Sequence, residues 1–371
     1  MNGIQSPIVV EAIIKRHIVD ADITIDAQSA LITVLFGPSG SGKTTILRAL
    51  AGLDPLDAGR ITCDGALWND NRRIVVPPRQ REVGFLFQAH ALFPHLDVKA
   101  NVAYGLRRHQ RDDRDARVTW ALESSGATHL NDRHVRDLSG GEAQRIALAR
   151  SIAPQPRLLM LDEPFSSLDA PTRVRLRTDV RALAIATQTP AIVVTHDRAE
   201  ALAMADRVCV IVDGHIRQVG TPEEVFDRPA DSSVATVVGV ETAVPGQISG
   251  LRDGVADVLV QGVHIVATRD DDSPLSVGDE VLVCIRAEDV SLSVGAENAL
   301  SSQRNRLPGR VTGIAQEGPL VRVDIDAGFG LPAYITRPAR EDLELSIGSV
   351  VTASFKGQAV HLIPRTLSHG H

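Results

Sequence analysis

Aromatic residues, cysteines and long apolar runs are all scarce in this sequence of 371 residues. Phe, Trp and Tyr together make up 3% of it. Since a membrane-spanning helix needs about 18 or more consecutive apolar residues, and no such window is present, the sequence predicts no transmembrane helix. Cys63, Cys209 and Cys284 are far apart and show no CxxC spacing, which indicates reduced thiols in a cytosolic protein.

An excess of basic charge is also missing, because the formal net charge is -7. This acidic balance argues against a protein that binds nucleic acid mainly through phosphate contacts. Hydrophobic residues make up 43% and charged residues 23%, which is ordinary for a soluble protein, and the length suggests two or three domains. Residues 1–10 have no basic segment ahead of an apolar core, so we expect no signal peptide.

The most informative stretch that is present runs from Gly37 to Thr44 and reads Gly-Pro-Ser-Gly-Ser-Gly-Lys-Thr. It has the G-x-x-x-x-G-K-[ST] form of a phosphate-binding loop, in which glycines let successive N–H groups point at phosphate oxygens. The apolar run at 31–36 predicts a buried strand before the loop, and the apolar spacing at 45–51 predicts a helix after it. In this context we expect Lys43 to hold the outer phosphates and Thr44 to bind a magnesium ion.

A second candidate anion site lies just ahead of a helix predicted over residues 143–152. Ser139 stands where the N-cap of this helix is expected, so ordinary capping is one explanation for it. Gly140 and Gly141 leave bare backbone N–H groups at the positive end of the helix, which is what an anion site needs. Both interpretations stay open at this point.

A continuous apolar run ends in two carboxylates at Asp162 and Glu163. Such a run is typical of a strand that is buried on both faces in a parallel sheet. At the end of the strand Asp162 fits a magnesium ligand, and Glu163 is placed to orient or deprotonate a water. The alternative is a solvent-facing acidic turn.

Two more predicted strands end in residues that suit the same site. The run at 83–88 ends at Gln88, whose amide can reach a metal-bound water beside the terminal phosphate. The run at 191–196 ends at His196, which we expect at the same sheet edge, where it can contact that phosphate. The alternative for His196 is a purely structural histidine.

The other segments indicate how the chain is organised. The alternating polarity of residues 8–30 predicts antiparallel strands. Residues 107–136 are charged and have a helical pattern, which indicates a small helical insertion. The pattern at 208–216 predicts a hairpin that closes the first domain. After Asp231 the helical patterning fades, and short β-like runs separated by Gly, Asp and Pro take over.

The region after Asp231 also contains an internal repeat. The segment 275–278 recurs at 345–348, and 285–292 aligns with 355–362 at the same offset. An earlier Pro-Gly pair recurs at a shorter offset, so the second copy carries extra residues in between. Two small antiparallel barrels fit this pattern better than one larger sheet.

Together these motifs resemble the ATP-binding subunit of ABC transporters over residues from roughly 8 to 232. In chain order the motifs are Walker A (Gly37 to Thr44), the Q-loop (Gln88), the signature (Leu138 to Glu142), Walker B (Leu158 to Asp162), the D-loop (Ser166 to Asp169) and the switch histidine (His196). The Leu-Ser-Gly-Gly signature separates this family from other P-loop proteins. The resemblance implies an α/β P-loop NTPase domain with a helical insertion.

The resemblance also implies which residues bind and hydrolyse ATP with Mg²⁺. The ATP-binding residues would be Gly37, Pro38, Ser39, Gly40, Ser41, Gly42, Lys43, Thr44, Thr45, Gln88, Asp162 and His196. Magnesium would be held by Thr44, Gln88 and Asp162. The catalytic residues would be Glu163, which activates the attacking water, together with His196, Gln88 and Lys43. In a head-to-tail dimer, the residues acting in trans would be Ser139, Gly140, Gly141, Glu142 and Asp169.

The family's partners follow from the same resemblance. Its dimers dock on integral membrane permease subunits, here through the groove around Gln88 to Tyr104, and receive solute indirectly from a periplasmic or extracellular solute-binding protein. We therefore expect a homodimer that is attached peripherally to the cytoplasmic side of the cell membrane. No nucleic-acid partner is expected.

One departure from the family concerns the adenine base. Family members usually stack the base on an aromatic residue ahead of the P-loop, where this chain has Ile-Lys-Arg-His-Ile at 14–18. His17 is the remaining candidate for stacking. We therefore expect loose discrimination between adenine and guanine nucleotides.

The second region resembles the TOBE/Mop regulatory domain found at the C-terminus of importer ATPases. We place the ATPase domain at residues 1–235 and an all-β domain of two OB-like small barrels at 236–371, with repeats at about 240–295 and 300–366. Two of its stretches are most similar to the molybdate-binding version of this domain. The resemblance implies an oxyanion site for molybdate or tungstate formed by Ser302, Arg304, Asn305 and Lys356. Gly357 and Gln358 stand where hydroxyl residues are common, and a purely structural role for the whole set stays open.

The solute is less sharply defined than the type of subunit. Segments at 68–70, 77–84 and 92–95 resemble molybdate-type importer ATPases most, although sulfate, ferric iron, polyamine and sugar importers share much of the pattern. The sequence therefore predicts an importer ATPase for molybdate or tungstate, with those other solutes as alternatives. A soluble ABC ATPase without a transport role is a remote alternative, because the chain has one P-loop and no heptad run.

Overall fold

The computed structural model describes residues 8–106, 113–252, 254–269, 275–295 and 302–365. The chain forms two compact units, residues 1–225 and 226–371. The boundary that the sequence predicts, between residues 235 and 236, falls inside a helix of the second unit, Ser232–Val237. The packing therefore divides the chain earlier than the change in composition indicates.

The elements of the first unit alternate between strands and helices after an initial hairpin. Its strands are β1 (Val9–Arg16), β2 (Val19–Asp26), β3 (Ile32–Phe36), β4 (Ala58–Cys63), β5 (Ala66–Asp70), β6 (Arg73–Ile74), β7 (Val83–Leu86), β8 (Leu158–Asp162), β9 (Ala191–Thr195), β10 (Arg207–Val212) and β11 (His215–Gly220). Its helices are α1 (Lys43–Leu50), α2 (Val98–Ala103), α3 (Arg114–Ser124), α4 (Gly140–Ile152), α5 (Ala170–Thr187), α6 (Arg198–Met204) and α7 (Pro222–Asp227), the last of which continues into the second unit.

A mainly parallel sheet positions the candidate site. Its strand order is β11-β10-β3-β9-β8-β7, and the pairings are parallel except that between β10 and β11. Strands β3, β8 and β9 are buried along their whole length, which explains their continuous apolar sequences. Because parallel strands share one direction, β3, β7, β8 and β9 end at the same edge, followed by the phosphate-binding loop, Gln88, Glu163 and His196.

An antiparallel sheet of order β2-β1-β4-β5-β6 packs on the other side of α1. Alternate residues of β1 and β2 are buried, so the antiparallel strands predicted for residues 8–30 are confirmed. Apolar side chains from both sheets and from α1 form one continuous core, which includes Ile14, Leu50 and Met160. Since burial of each such side chain stabilises the fold by about 1.5–3 kcal/mol, the helix behind the phosphate-binding loop is firmly anchored.

A buried arginine holds the far end of α1. Arg81 donates hydrogen bonds to the carbonyl oxygens of Ala49 and Leu50, and its guanidinium lies 4.9 Å from the ring centroid of Trp68. Burial lowers the pKa of Arg81 to about 10. A cation at a helix C-terminus interacts favourably with the helix dipole, so Arg81 fixes α1 at the end away from the phosphate-binding loop.

The charged segment at 107–136 was predicted as a helical insertion, and its described part is largely helical. It contains α3 and two 3-10 turns, Thr128–Leu130 and Val135–Asp137, while residues 107–112 lie outside the described residues. Helices α2, α3 and α4 pack against one another. Within the described ranges, no helix has the length and apolar character needed to cross a membrane.

The second unit is built mainly of strands, with two short helices. The helices are α8 (Ser232–Val237) and α9 (Arg337–Asp342). The strands are β12 (Thr242–Arg252), β13 (Val255–Val260), β14 (Val263–Thr268), β15 (Glu280–Ile285), β16 (Ser291–Ser293), β17 (Asn305–Glu317), β18 (Leu320–Asp326), β19 (Gly330–Thr336), β20 (Val350–Phe355) and β21 (Val360–Pro364). They form two five-stranded antiparallel sheets, β14-β13-β12-β15-β21 and β16-β20-β17-β18-β19, around one apolar core.

The two copies of the repeat correspond strand by strand, which confirms the predicted duplication. Strand β15 ends at Ile285 and β20 at Phe355, and each is followed by a 3-10 turn, Ala287–Asp289 in one copy and Gly357–Ala359 in the other. The copies exchange their last strands, however, because β16 pairs with β20 and β21 pairs with β15. Each sheet therefore contains a strand from the other copy, a feature that sequence similarity between the copies does not reveal.

Candidate functional site

The phosphate-binding loop is shaped by close approaches that only glycine allows. A Cβ on Gly37 would collide with the carbonyl oxygen of Ile211, and a Cβ on Gly42 would collide with Val19. Gly42 also has φ +100° and forms the N-cap of α1 without a side-chain hydrogen bond. The chain therefore turns tightly into α1, with the backbone N–H groups of the first helical turn directed toward the loop.

Lys43 is buried at the start of α1. Its Nζ donates hydrogen bonds to the carbonyl oxygens of Gly37, at 2.8 Å, and Pro38, at 2.7 Å. Burial lowers the pKa of Lys43, an effect that the nearby charges of Glu163 and Asp162 oppose. The ammonium group is thus held inside the loop by neutral carbonyl oxygens. A bound anion would supply the opposite charge that favours its protonated form.

Thr44 and Asp162 face each other across the end of the sheet. Thr44 Oγ1 donates a hydrogen bond of 2.8 Å to Asp162 Oδ1, and the Asp162 side chain is buried. Burial raises the pKa of Asp162, and the charge of Glu163 adds to this, while the hydrogen bond from Thr44 acts in the opposite direction. A hydroxyl and a carboxylate oxygen are the hard donors that Mg²⁺ prefers, and a divalent cation would stabilise the buried carboxylate, so these residues fit a magnesium site.

Glu163 is the residue on which the other strand ends converge. Gln88 Nε2 donates a hydrogen bond of 3.1 Å to Glu163 Oε2, and His196 Nδ1 lies 3.4 Å from Glu163 Oε1. Glu163 has φ +44°, which is an uncommon backbone conformation for a residue other than glycine and is concentrated at functional sites. The structure therefore assembles the predicted residues Lys43, Asp162, Glu163, Gln88 and His196 at one sheet edge.

The signature segment forms the helix cap that one interpretation of its sequence predicts. Ser139 caps α4: the backbone N–H of Glu142 donates to Ser139 Oγ at 3.4 Å, and the backbone N–H and hydroxyl of Ser139 each donate to the Glu142 carboxylate at 2.8 Å. The backbone hydrogen bond from Ser139 is the main cause that lowers the pKa of Glu142. Helix α4 begins at Gly140, three residues before the predicted start, because the cap lies that far upstream.

A cavity of about 480 Å³ opens in front of the signature. It gathers all the residues that were predicted to act in trans, which are Ser139, Gly140, Gly141, Glu142 and Asp169. Three basic residues that the sequence analysis missed, His129, Arg145 and Arg175, also line it. They lie on different elements and form no motif, so only the folded chain reveals that they share this cavity with the signature.

The turn between β1 and β2 lies beside the phosphate-binding loop. Val19 packs against Gly42, and the N–H of Gly214 donates to the Ser41 carbonyl oxygen at 3.1 Å while the Gly214 carbonyl oxygen accepts from Asp20. In this turn His17 is exposed, with its N–H donated to Asp57, and the neighbouring Ile18 side chain is 59% exposed. The side chains at the position expected to face the adenine base are thus the imidazole of His17 and the aliphatic chain of Ile18, as the sequence indicates.

The four residues predicted to bind an oxyanion are not gathered into one pocket. Asn305 is buried, and its amide forms a closed pair with the backbone of Val266: Oδ1 accepts at 2.7 Å and Nδ2 donates at 2.8 Å. Ser302 and Arg304 are exposed. Asn305 therefore joins β17 to β14, which agrees with the structural role that the sequence left open for this set of residues.

Lys356 follows Phe355, the residue of β20 that pairs with Asn305. It lines a cavity of about 470 Å³ in the second unit. The same cavity is lined by Arg286, the equivalent of Lys356 in the first copy, and by the carboxylates of Asp227, Glu288 and Asp289. An oxyanion in this cavity would therefore lie near carboxylates as well as near Lys356 and Arg286.

We expect Asp162→Asn to raise the thermal stability of the chain without nucleotide. Because burial raises the pKa of Asp162, the ionised side chain destabilises the fold above that raised pKa and the penalty disappears as the pH falls below it. Asparagine removes the charge, so thermal melts at about pH 8 should show a gain in Tm of about 2–4 °C for each kcal/mol recovered. The gain should shrink toward about pH 4.

The matched control is Asp54→Asn. The hydrogen bond from Arg48 lowers the pKa of Asp54, so its ionised form stabilises the fold above its ordinary pKa, and the substitution should lower Tm at about pH 8. A Tm for Asp162→Asn at or below that of the unchanged protein at the same pH would contradict the prediction for Asp162.

Comparison with known proteins gives these sites a family. The ABC transporter family model matches residues 21–166, and the TOBE domain model matches residues 301–362. The first match covers the phosphate-binding loop, the signature and β8, and the second covers β17 to β20 and most of β21. The all-β second unit is therefore of the TOBE kind that the sequence predicts.

Curated relatives match over most of their length. The molybdate/tungstate import ATP-binding protein WtpC of Pyrococcus abyssi is 38% identical over 343 residues, which are 91% of this chain and 94% of that protein. The Fe(3+) ions import ATP-binding protein FbpC of Streptomyces coelicolor is 44% identical over 278 residues, which are 72% of this chain and 78% of that protein.

A solved structure shows the same cassette. The dimeric structure of MJ0796, a bacterial ABC transporter cassette, matches 58% of this chain and 98% of its own chain, with 25% identity and a TM-score of 0.50. From these matches, and from the ATP-site motifs gathered at the sheet edge, the chain belongs to the family of import ATP-binding subunits of ABC transporters and is an ABC ATPase with a C-terminal TOBE domain.

Proposed function

We propose that this ABC ATPase works as a homodimer that couples ATP hydrolysis to the import of molybdate or tungstate through a membrane permease. The observation that carries the hydrolytic mechanism is the position of Glu163 between Gln88 and His196 and next to Asp162. The solute is supported by the Pyrococcus abyssi relative, which is named for molybdate and tungstate and aligns over nearly the whole chain, including the second unit.

The chain's own residues would share the work of hydrolysis. Lys43 and the backbone N–H groups of residues 39–45 would hold the β- and γ-phosphates, and Thr44, Asp162 and Gln88 would hold Mg²⁺, which would supply positive charge to the phosphate oxygens. Glu163 would accept a proton from the attacking water, while the oxygen of that water forms a bond to the γ-phosphorus. The bond to the oxygen bridging the β- and γ-phosphates breaks, so ADP and phosphate leave.

His196 would contact the γ-phosphate in this mechanism. Gln88 and His196 approach different carboxylate oxygens of Glu163. Both oxygens of Glu163 would therefore be oriented before the carboxylate receives the proton. Such orientation of a general base by neighbouring groups lowers the barrier without new covalent chemistry.

The signature would act on the ATP of a second protomer. Its support is the cavity that gathers Ser139, Gly141 and Asp169 with basic residues but lacks Lys43 and the other residues of the phosphate-binding loop. Backbone N–H groups at the start of a helix can receive an anion, so this cavity would provide half of a composite site. The cassette to which this chain is similar was solved as a dimer, which supports a homodimer here.

A membrane permease is the partner that the import family implies. We place the permease contact around Gln88 to Tyr104. There the rings of Phe93 and Tyr104 pack with their centroids 4.3 Å apart, and Tyr104 is 64% exposed. Exposed aromatic residues are enriched at protein interfaces. The subunit would then lie peripherally on the cytoplasmic side of the membrane and meet the solute-binding protein only through the permease.

A different solute is the second candidate function. The Streptomyces coelicolor relative, named for Fe(3+) ions, has the higher identity of the two, although it aligns over a shorter part of the chain. Sulfate, polyamine and sugar remain alternatives from the sequence. The ATPase mechanism is the same for each of them, so the solute must be tested separately.

We expect Glu163→Gln to form a closed, ATP-bound dimer with little turnover. Glutamine keeps the size of the side chain but cannot accept the proton, and loss of a general base costs about 10²–10⁴-fold in rate. Steady-state ATPase assays and size-exclusion chromatography with ATP check both parts. Glu223→Gln, at an exposed position on α7, is the control, and wild-type hydrolysis by Glu163→Gln would refute the role of Glu163.

We expect GTP and ATP to be hydrolysed with similar kcat/KM, because no Phe, Tyr or Trp stands at the base position. Ile18→Tyr should lower KM for both nucleotides by a similar factor, because stacking contributes about 1–3 kcal/mol per base in other proteins and is tolerant of the base. Ile13→Tyr, at an exposed site on β1, is the matched control. A strong preference for ATP in the unchanged protein would contradict the prediction.

We expect the full chain to bind molybdate and tungstate more tightly than sulfate, with Lys356→Gln weakening both, because the ammonium supplies the charge for the anion. Isothermal titration calorimetry checks this, with Lys99→Gln on the ATPase domain as the control. Absence of binding to all three anions would remove the regulatory oxyanion site and leave the ATPase mechanism untouched. Binding that survives Lys356→Gln would exclude Lys356 as a ligand.

A further inference from the structure

The loop that follows Gln88 has a strained backbone. His90 has φ +58° and Ala91 has φ +49°, so two consecutive residues with side chains adopt the left-handed conformation. This conformation is uncommon for residues other than glycine, and it persists only where the surrounding structure holds it in place. The strain begins two residues beyond the amide that contacts Glu163.

An arginine of the signature helix holds this strained pair. Arg150, in the last turn of α4, donates one guanidinium hydrogen bond to the Ala91 carbonyl oxygen at 2.7 Å and a second to the His90 carbonyl oxygen at 2.9 Å. The same guanidinium lies 5.6 Å from the ring centroid of Phe93. Two nitrogens of one rigid planar group thus fix two successive peptide groups, which is a geometry that lysine cannot reproduce.

Arg150 makes these contacts in partial isolation from water. Burial lowers the pKa of Arg150. Its guanidinium hydrogen bonds go to neutral carbonyl oxygens of the loop. A cation that is partly removed from water for such contacts indicates that the position of the loop matters.

The loop meets three parts of the ATPase site. Gln88 contacts Glu163, and His90 Nε2 lies 3.5 Å from the hydroxyl of Ser167 in the D-loop. Arg150 connects the same loop to α4, the helix that Ser139 caps. The position of Gln88 therefore depends on a short segment whose shape is imposed from α4.

We propose that Arg150 is a positioning residue for ATP hydrolysis: by holding His90 and Ala91 in their strained conformation, it keeps Gln88 against Glu163. This inference rests on the roles of Gln88 and Glu163 in the function proposed above. The hydrogen bonds of Arg150 go to His90 and Ala91, so its effect on Glu163 passes through the loop that follows Gln88. It also makes the placement of Gln88 depend on the position of α4, and hence of the signature.

The kinetic consequence is specific. Arg150→Lys should lower kcat for ATP by about 10-fold or more, as a misplaced catalytic group does, while KM for ATP changes by less than about twofold because the phosphate-binding loop is untouched. Ala91→Gly in the Arg150→Lys background should recover part of the lost kcat, because glycine adopts positive φ without strain. A residue that only supported the fold would not respond to glycine at that one position.

The experiment compares the full-length wild-type chain with Arg150→Lys, the double variant and a control, Arg117→Lys. Arg117 lies on α3, where its guanidinium donates to the Gln155 side chain at 3.1 Å. Steady-state kcat and KM for ATP are measured with a thermal melt for each protein. Loss of kcat in Arg150→Lys alone, with partial recovery in the double variant and an unchanged KM, supports the proposal.

Other results would overturn it. Unchanged kcat in Arg150→Lys, a rise in KM that accounts for the whole effect, or the absence of recovery by Ala91→Gly would each exclude Arg150 as a positioning residue. Gln88→Ala separates the two levels of the argument. If Gln88→Ala leaves kcat unchanged, the proposed role of Gln88 fails, whereas a slow Gln88→Ala beside a fast Arg150→Lys overturns the inference about Arg150 alone.

Discussion

The burial of opposite charges at the end of one sheet is the constraint on which the first unit depends. Lys43 and Asp162 are both buried within the site. Burial lowers the pKa of Lys43 and raises the pKa of Asp162, so it favours the neutral form of each. Taking charges out of water costs free energy unless partners replace the solvent. The anchoring of α1 by its apolar core and by Arg81 keeps these charges together, so the chain is poised for a ligand that brings phosphate and a cation.

Much of this site could be predicted from the sequence because each motif is local. The spacing in 37–44 defines a loop between a strand and a helix, and the polar ends of β8 and β9 must meet at one edge once the strands are parallel. What the sequence did not contain is the convergence of Gln88 and His196 on opposite oxygens of Glu163. That arrangement depends on loop conformations, such as the positive φ of Glu163, which no residue pattern encodes.

The second unit shows where similarity between repeats stops being informative. The aligned segments place β15 and β20 correctly, but they do not say that β16 and β21 are exchanged between the sheets. Pairing of strands is decided by which edge the last strand of each copy reaches. The pair between Asn305 and Val266 has the same origin, because its hydrogen bonds join β17 of one copy to β14 of the other.

These observations describe two kinds of dependence in the chain. The residues proposed to bind phosphate or metal lie on motifs that are recognisable in the sequence, whereas Arg150, His129, Arg145 and Arg175 lie on helices and turns whose sequences form no motif. Arg150 differs from the other three because its contacts are to backbone carbonyl oxygens of a strained loop, and such contacts leave no trace at the acceptor residues in sequence. Since α4 carries the signature at its first turn and Arg150 at its last, a displacement of this helix would act on both halves of the composite ATP site proposed above.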